Sequence, residues 1–350
     1  MRTRTGQLLI GAFVIGLTSL AQGQAPATPP APGQAGGQRG AGPQGPQVVS
    51  PQVNADRTVT VRLNAPKATE ITVTGELLNG SQPKAMAKNA EGIWEATLGP
   101  VPADVYTYAF NIDGVNTPDP RNPWVKLVSA AGLASQVEVP GDGPQYYDSK
   151  PVPHGLLQIL TYESKATGAT RQAYVYTPPD YLRTSTRYPV LYLLHGAGDL
   201  DPGWAMTGRA HIIMDNLIAE KKARPMVVVM PLARGGGSLG LGPSGMSPGI
   251  QAAGNVVPGA GQNVEVAYPK FFANDSAAAK QMKLIWVAVG SEDFALAGSK
   301  ALDETLTKNG IKHSFEITPG YRHEWRLWRP HLRDFAQLLF TDAKTPAGTK

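Results

Sequence analysis

Residues 237–249 (GSLGLGPSGMSPG) carry two overlapping patterns with chemical potential. Gly245-Met246-Ser247-Pro248-Gly249 fits G-x-S-x-G, in which a sharp strand-to-helix turn presents a nucleophilic serine. Gly240-Leu241-Gly242-Pro243-Ser244-Gly245 fits G-x-G-x-x-G, in which glycines let backbone approach a pyrophosphate. The second pattern fails on context: no strand runs into it, no helix opens from it, and prolines interrupt the loop. The first meets a chemical obstacle. The residue after the nucleophile normally donates its N–H to the oxyanion, and Pro248 has no N–H. Losing one such donor costs about a hundred- to a thousandfold in rate. Proline also restricts the backbone of Ser247, and the Gly/Pro-rich residues ahead of it do not suit a central strand. Ser247 stands as the motif candidate for a nucleophile, with coincidence as the competing reading. A further glycine-rich turn, His195-Gly196-Ala197-Gly198, ends the apolar run Tyr188–Leu194. Its small residues would let the N–H groups of Gly196 and Ala197 face a developing oxyanion. A plain strand-to-helix turn is the alternative.

These residues need a frame. The chain has 350 residues, 42% of them hydrophobic, which is enough for two domains with their own cores. There is no cysteine, hence no disulfide framework, thiolate nucleophile or cysteine metal site. No H-E-x-x-H or comparable cluster is present, so neither metal nor cofactor is expected. The net charge of +5 includes Arg2 and Arg4, and the remaining basic residues are scattered. That pattern gives nucleic-acid binding no support.

Residues 1–23 read as a secretory signal peptide: Arg2 and Arg4, the apolar run Leu8–Leu20, then Ala21-Gln22-Gly23. The run is short for a membrane span, and a retained anchor is the other reading. A secreted or periplasmic protein is expected, with no membrane contact beyond the signal peptide. Residues 24–47 are nearly all Pro, Gly, Gln and Ala and read as a disordered linker.

Over 48–145, period-two runs such as Thr58–Leu63, Glu70–Thr74 and Val105–Phe110 alternate with turn residues at Asn64-Ala65-Pro66, Asn79-Gly80-Ser81 and Asp113-Gly114. An antiparallel β-sandwich is expected. Over 150–345 the pattern becomes α/β. A strand pair, Leu156–Glu163 and Arg171–Tyr176, precedes buried runs at Tyr188–Leu194, Met226–Met230 and Lys283–Val289. A strand near Lys312–Thr318 and helices near 211–222, 297–308 and 324–340 complete the reading. Unbroken apolar runs suit strands buried on both faces. Between Leu232 and Met282 no such run exists, and so long an irregular connection inside a domain is itself anomalous. The central sheet is therefore expected to be incomplete.

Two resemblances sharpen this frame. VTVRLNAPKATEITVTGE, EGIWEATLGPVPADVYTYAFNIDG and TPDPRNP resemble the immunoglobulin-like early-set domains, related to glycogen-binding modules, that precede secreted carbohydrate-active enzymes. The resemblance implies a carbohydrate partner, with Trp94 and Tyr106 as rings that could stack on a sugar; filling the sandwich core is the alternative. RYPVLYLLHGAG, GRAHIIMDNLIAEKKARPMVVVMP, KLIWVAVGSEDF, NGIKHSFEITPGYRHEWRLWRPHL and FAQLLF resemble secreted bacterial esterases of the esterase D and feruloyl-esterase type, with enterochelin esterases in the same group. That resemblance implies an α/β-hydrolase with a Ser-His-Asp triad. By position it implies Asp293 in GSEDF as the acid, His323 in GYRHEW as the base, and Gly196 and Ala197 as the oxyanion hole. Read alone, Asp293 is equally a helix N-cap and His323 a loop histidine. Arg322 and Glu324 depart from the usual base-loop word, and Glu292 adds a second carboxylate beside the acid. His154, His211, His313 and His331 have no partners legible in the sequence. Two functions follow: hydrolysis of carbohydrate-linked esters, or a catalytically dead relative that binds carbohydrate or protein.

Overall fold

The computed structural model describes residues 48–80, 82–128, 132–165, 167–196, 199–232, 265, 269–272 and 282–341. The expected signal peptide and linker, Ala197 and Ser247 lie outside these residues.

The first half is built of strands. They are β1 (Gln52–Val53), β2 (Val59–Asn64), β3 (Ile71–Thr74), β4 (Lys84–Ala85), β5 (Ala87–Lys88), β6 (Ile93–Leu98), β7 (Asp104–Ile112), β8 (Val115–Thr117), β9 (Val125–Val128) and β10 (Gly132–Val139). One sheet runs β1-β2-β6-β5 and the other β4-β3-β7-β10-β9, with β8 on β7. Every pairing in them is antiparallel. The alternation seen in the sequence is the cause. Val59, Val61 and Leu63 of β2 point inward and meet Ile71, Val73, Tyr106, Tyr108 and Phe110 of the other sheet in one core. Asp113 and Gly114 turn β7 into β8 with φ of 48° and 91°, the left-handed pair that a tight hairpin needs.

Trp94 and Tyr106 belong to this core, which corrects the expectation that they stack on sugars. Tyr106 has no exposed surface and donates its hydroxyl to the Pro102 carbonyl (2.7 Å). Trp94 is buried and donates its indole N–H to the Ala65 carbonyl (2.9 Å). Both occupy inward positions of alternating strands, so period two places them where no ligand reaches.

The second half carries a sheet ordered β11 (Leu156–Ser164), β12 (Ala169–Thr177), β14 (Val227–Pro231), β13 (Val190–Tyr192). β11 and β12 form the expected hairpin, and β13 runs parallel to β14. A separate parallel pair joins β15 (Trp286–Gly290) to β16 (Ser314–Thr318). Four helices concern the site: α1 (Pro202–Met206), α2 (Ala210–Ala219), α3 (Leu296–Lys308) and α4 (Trp325–Leu338). Ile213, Met214 and Leu217 of α2 pack with Met226, Val228, Met230 and with Leu332 and Ala336 of α4. Val105 of β7 joins this second core. β7 is therefore buried on both faces, Tyr106, Tyr108 and Phe110 to one core and Val105 to the other.

β13 departs from the expected doubly buried strand. It keeps only the middle of the Tyr188–Leu194 run, and Val190, Tyr192 and Leu194 are 42%, 69% and 40% exposed. Among the described residues β14 is its one sheet neighbour, and the alternate residues Leu191 and Leu193 pack against the second core. Among the described residues no helix is long and apolar enough to cross a membrane.

Candidate active site

Asp293 and His323 follow the C-terminal ends of two paired parallel strands, where open α/β sheets gather their functional groups. Gly290 and Thr318 stand opposite each other at the end of the β15–β16 ladder. Beyond them the two loops stay joined. Ser291 N–H donates to the Thr318 carbonyl (2.9 Å), Glu292 N–H to the Tyr321 carbonyl (2.9 Å), and Gly320 N–H to Ser291 Oγ (2.8 Å). Gly290 permits this approach, since a Cβ there would lie 2.1 Å from the Tyr321 carbonyl oxygen.

The joined loops bring the two residues into contact across a sequence separation of 30. His323 Nδ1 lies 3.2 and 3.1 Å from the Asp293 carboxylate oxygens. The Asp293 side chain is buried, and its Oδ1 also accepts the Ala295 N–H (2.8 Å). It thus holds the turn before α3 and the imidazole at once. A carboxylate only accepts, so His323 Nδ1 carries a proton and Nε2 of the neutral ring is left as an acceptor. That Nε2 faces the turn after β13: a Cβ built on Gly196 would lie 3.9 Å from it. The imidazole therefore touches the carboxylate through Nδ1 and lies near the glycine turn through Nε2. The His195 side chain is turned back, its Nδ1 2.9 Å from the Gly196 carbonyl oxygen.

Aromatic rings fix the imidazole from the sides. Phe294 packs 4.5 Å from the His323 ring and Trp328 4.7 Å, the latter edge-on. Trp328 packs in turn on Trp325, and Trp325 on Trp204. Phe294 is 77% exposed and forms an open apolar wall beside the base. The extra charges next to the pair serve elsewhere. Glu292 pairs with Arg322 (3.0 Å), and buried Glu324 pairs with Arg326 (3.0 Å) and accepts the Arg322 N–H (3.2 Å). Phe294 and Trp328 were missed by sequence reasoning, although both lie within the quoted words around Asp293 and His323.

The other histidines have definite surroundings. His154 meets Asp215 (2.9 Å), His313 meets Asp303 (2.7 Å) and His331 meets Thr318 (2.9 Å). Burial holds His211 and His331 below the ordinary histidine range. Among the described residues no group of three or more His, Asp or Glu is placed to hold a metal ion.

The Esterase family matches residues 164–240, which include β12, β13, the His195-Gly196 turn and β14. The endo-1,4-beta-xylanase/feruloyl esterase of Xylanibacter ruminicola is 35% identical over 188 residues. This chain is a relative of such esterases. The matched region covers 51% of this chain and 25% of the Xylanibacter protein, so the chain spans about a quarter of the length of that relative. In fold, the chain is similar to the enterobactin esterase of Shigella flexneri crystallised in the presence of 2,3-dihydroxy-N-benzoyl-glycine. The TM-score is 0.57 at 15% identity, over 81% of this chain and 93% of that one. The second half is similar in fold to such neighbours, and the half before it is a strand-rich region of antiparallel sheets.

Proposed function

We propose that this esterase relative hydrolyses carboxylic esters, and that its substrates are carbohydrate-linked esters of the feruloyl or acetyl kind. The observation that carries the reading is one geometry: His323 Nδ1 on Asp293 and Nε2 turned toward Gly196. In this reading a serine hydroxyl gives its proton to His323 Nε2 as it attacks the ester carbonyl. Asp293 stabilises the imidazolium, and His323 then protonates the leaving alcohol. Water repeats the sequence and releases the acid. Backbone N–H groups at Gly196 and Ala197 receive the negative charge on the carbonyl oxygen. Ser247 is the nucleophile candidate in this scheme. The strand-rich half is read as an immunoglobulin-like sandwich, and the chain as exported through residues 1–23.

A binding-only role is the weaker reading. It gives no reason for an imidazole–carboxylate pair aimed at a glycine turn, and its two expected sugar-stacking rings lie in a core. The test is labelling by a fluorophosphonate probe together with turnover of methyl ferulate. Wild type is expected to label and to turn over, and Ser247→Ala to do neither. Equal labelling of Ser247→Ala would remove Ser247 from the scheme, and absence of turnover in wild type would remove the scheme.

A further inference from the structure

Helix α4 begins two residues after His323, and its first N–H groups need acceptors. Its own N-cap residue, Glu324, has extended backbone and provides no side-chain cap. The Glu324 carboxylate is engaged by Arg326 and by the Arg322 N–H. The acceptor comes from the other half of the molecule. Glu76, in the 3-10 turn Glu76–Leu78, accepts the Trp325 N–H on Oε1 (3.0 Å). Its Oε2 accepts both the N–H (3.1 Å) and the hydroxyl (3.0 Å) of Thr107 on β7. One carboxylate thus ties a central strand of the strand-rich half to the start of the helix that follows the base. A negative charge at that helix end is also favoured by the helix dipole.

Two neighbours of Glu76 reach the same loop. Asn79 Oδ1 accepts from Arg326 Nη2 (2.7 Å). Gly80 lies under the Arg322 side chain so closely that a Cβ would fall 2.4 Å from Nε. Arg322 and Arg326 therefore flank the base loop on either side of His323, and the segment 76–80 touches both. Trp325, held by Glu76, packs on Trp328, which packs on the His323 ring. The contact path from Glu76 to the imidazole is continuous.

We propose that Glu76 is a positioning residue for His323: the strand-rich half sets the angle of the base through a cap supplied to α4. Its turnover arm rests on the ester-hydrolase reading; its spectroscopic arm does not. The experiment uses full-length protein with 13C-labelled histidine, and His323→Gln assigns the His323 imidazole cross-peak. In Glu76→Ala that cross-peak is expected to shift and broaden. For methyl ferulate, kcat is expected to fall about tenfold with KM within about twofold, as misplacement of a catalytic group affects the chemical step. Glu76→Gln, which keeps a carbonyl acceptor for Trp325, is expected to restore kcat to within about threefold of wild type. A Glu76→Ala protein that melts cooperatively with an unmoved cross-peak would overturn the proposal and leave Glu76 as interface packing. If Glu76→Ala does not melt cooperatively, Thr107→Val decides. It spares the carboxylate but removes its hydroxyl anchor, so a smaller shift of the same cross-peak supports the proposal and none overturns it. If wild type hydrolyses no ester, the hydrolase reading fails while the cross-peak comparison still decides the role of Glu76.

Discussion

The two halves of this molecule treat similar sequence differently. In β2 the alternating residues Val59, Val61 and Leu63 are almost wholly withdrawn from solvent. In β13 an equally apolar run leaves Tyr192 69% exposed. Both runs have strand propensity; among the described residues β2 has a sheet neighbour on each side and β13 has one. Burial is a property of the neighbours as much as of the residue. The strand-rich half has a closed core, and the second half takes part of its definition from that half, through Glu76, Asn79, Gly80 and Asp104.

This contrast can be broken most sharply at the acid–base pair. Asp293→Asn is expected to cost about 10⁴-fold in kcat for an ester substrate, as loss of the orienting carboxylate does in serine hydrolases. Steady-state kinetics on methyl ferulate measure it, and circular-dichroism melts should show both halves still folded.

The next effect is on the connection between halves. Arg329 is fully buried, bonds the Asp104 carboxylate and donates to the carbonyls of Val105 (2.8 Å) and Thr207 (2.9 Å). Arg329→Met leaves Asp104 without this partner and is expected to cost about 3–5 kcal/mol. Urea denaturation followed separately by tryptophan fluorescence and far-UV circular dichroism should then lose coincidence as the halves uncouple.

A matched pair of substitutions sharpens the comparison of the cores. Trp94→Ala is expected to cost about 3–5 kcal/mol, because it empties a filled site and leaves the Ala65 carbonyl with the Ala68 N–H as its donor in place of two. Tyr192→Ala, in the exposed strand, is expected to change stability by less than about 0.5 kcal/mol. Equal effects in urea titrations would erase the distinction drawn between β6 and β13.

The smallest effect is a pH dependence. Burial favours the neutral form of His331 and lowers its pKa in the fold. Its stabilising contribution is complete above the unfolded value of about 6.5 and is lost as pH falls through the lower folded value. His211 acts in the same sense. His313 acts oppositely: the hydrogen bond to the Ile311 carbonyl, with Asp303, raises its pKa. Its contribution is complete below about 6.5 and is lost as pH rises through the raised value. Melting temperatures measured between pH 6.5 and 5 should show His331→Gln falling by about 1–3 °C less than wild type.

Much of this was legible in the sequence because it is periodic. The β11–β12 hairpin, α2, α3, α4 and the parallel strands β14, β15 and β16 lie where apolar spacing placed them. The acid and base required more, since single polar residues have no period. Resemblance supplied their positions, and what then joins them is a backbone approach at Gly290 and Tyr321 that no pattern announces. Trp94 and Tyr106 left two readings open, sugar stacking and core filling, and the burial of both rings decides for the core. Glu76 was invisible for a different reason. Its partner Trp325 is 249 positions away, and caps are read from sequence only when they are local.

β7 has a consequence for protein engineering. A strand with Tyr106, Tyr108 and Phe110 in one core and Val105 in the other cannot be assigned to either side of a cut. Excising the first 140 or so residues as a transferable module would strip Val105 from the second core and the cap from α4. It would also leave Arg329 without the Asp104 carboxylate and Lys126 without Asp199. Chimeras that exchange the front half between relatives should carry the α4 contact residues with it, because the unit of inheritance here is the seam.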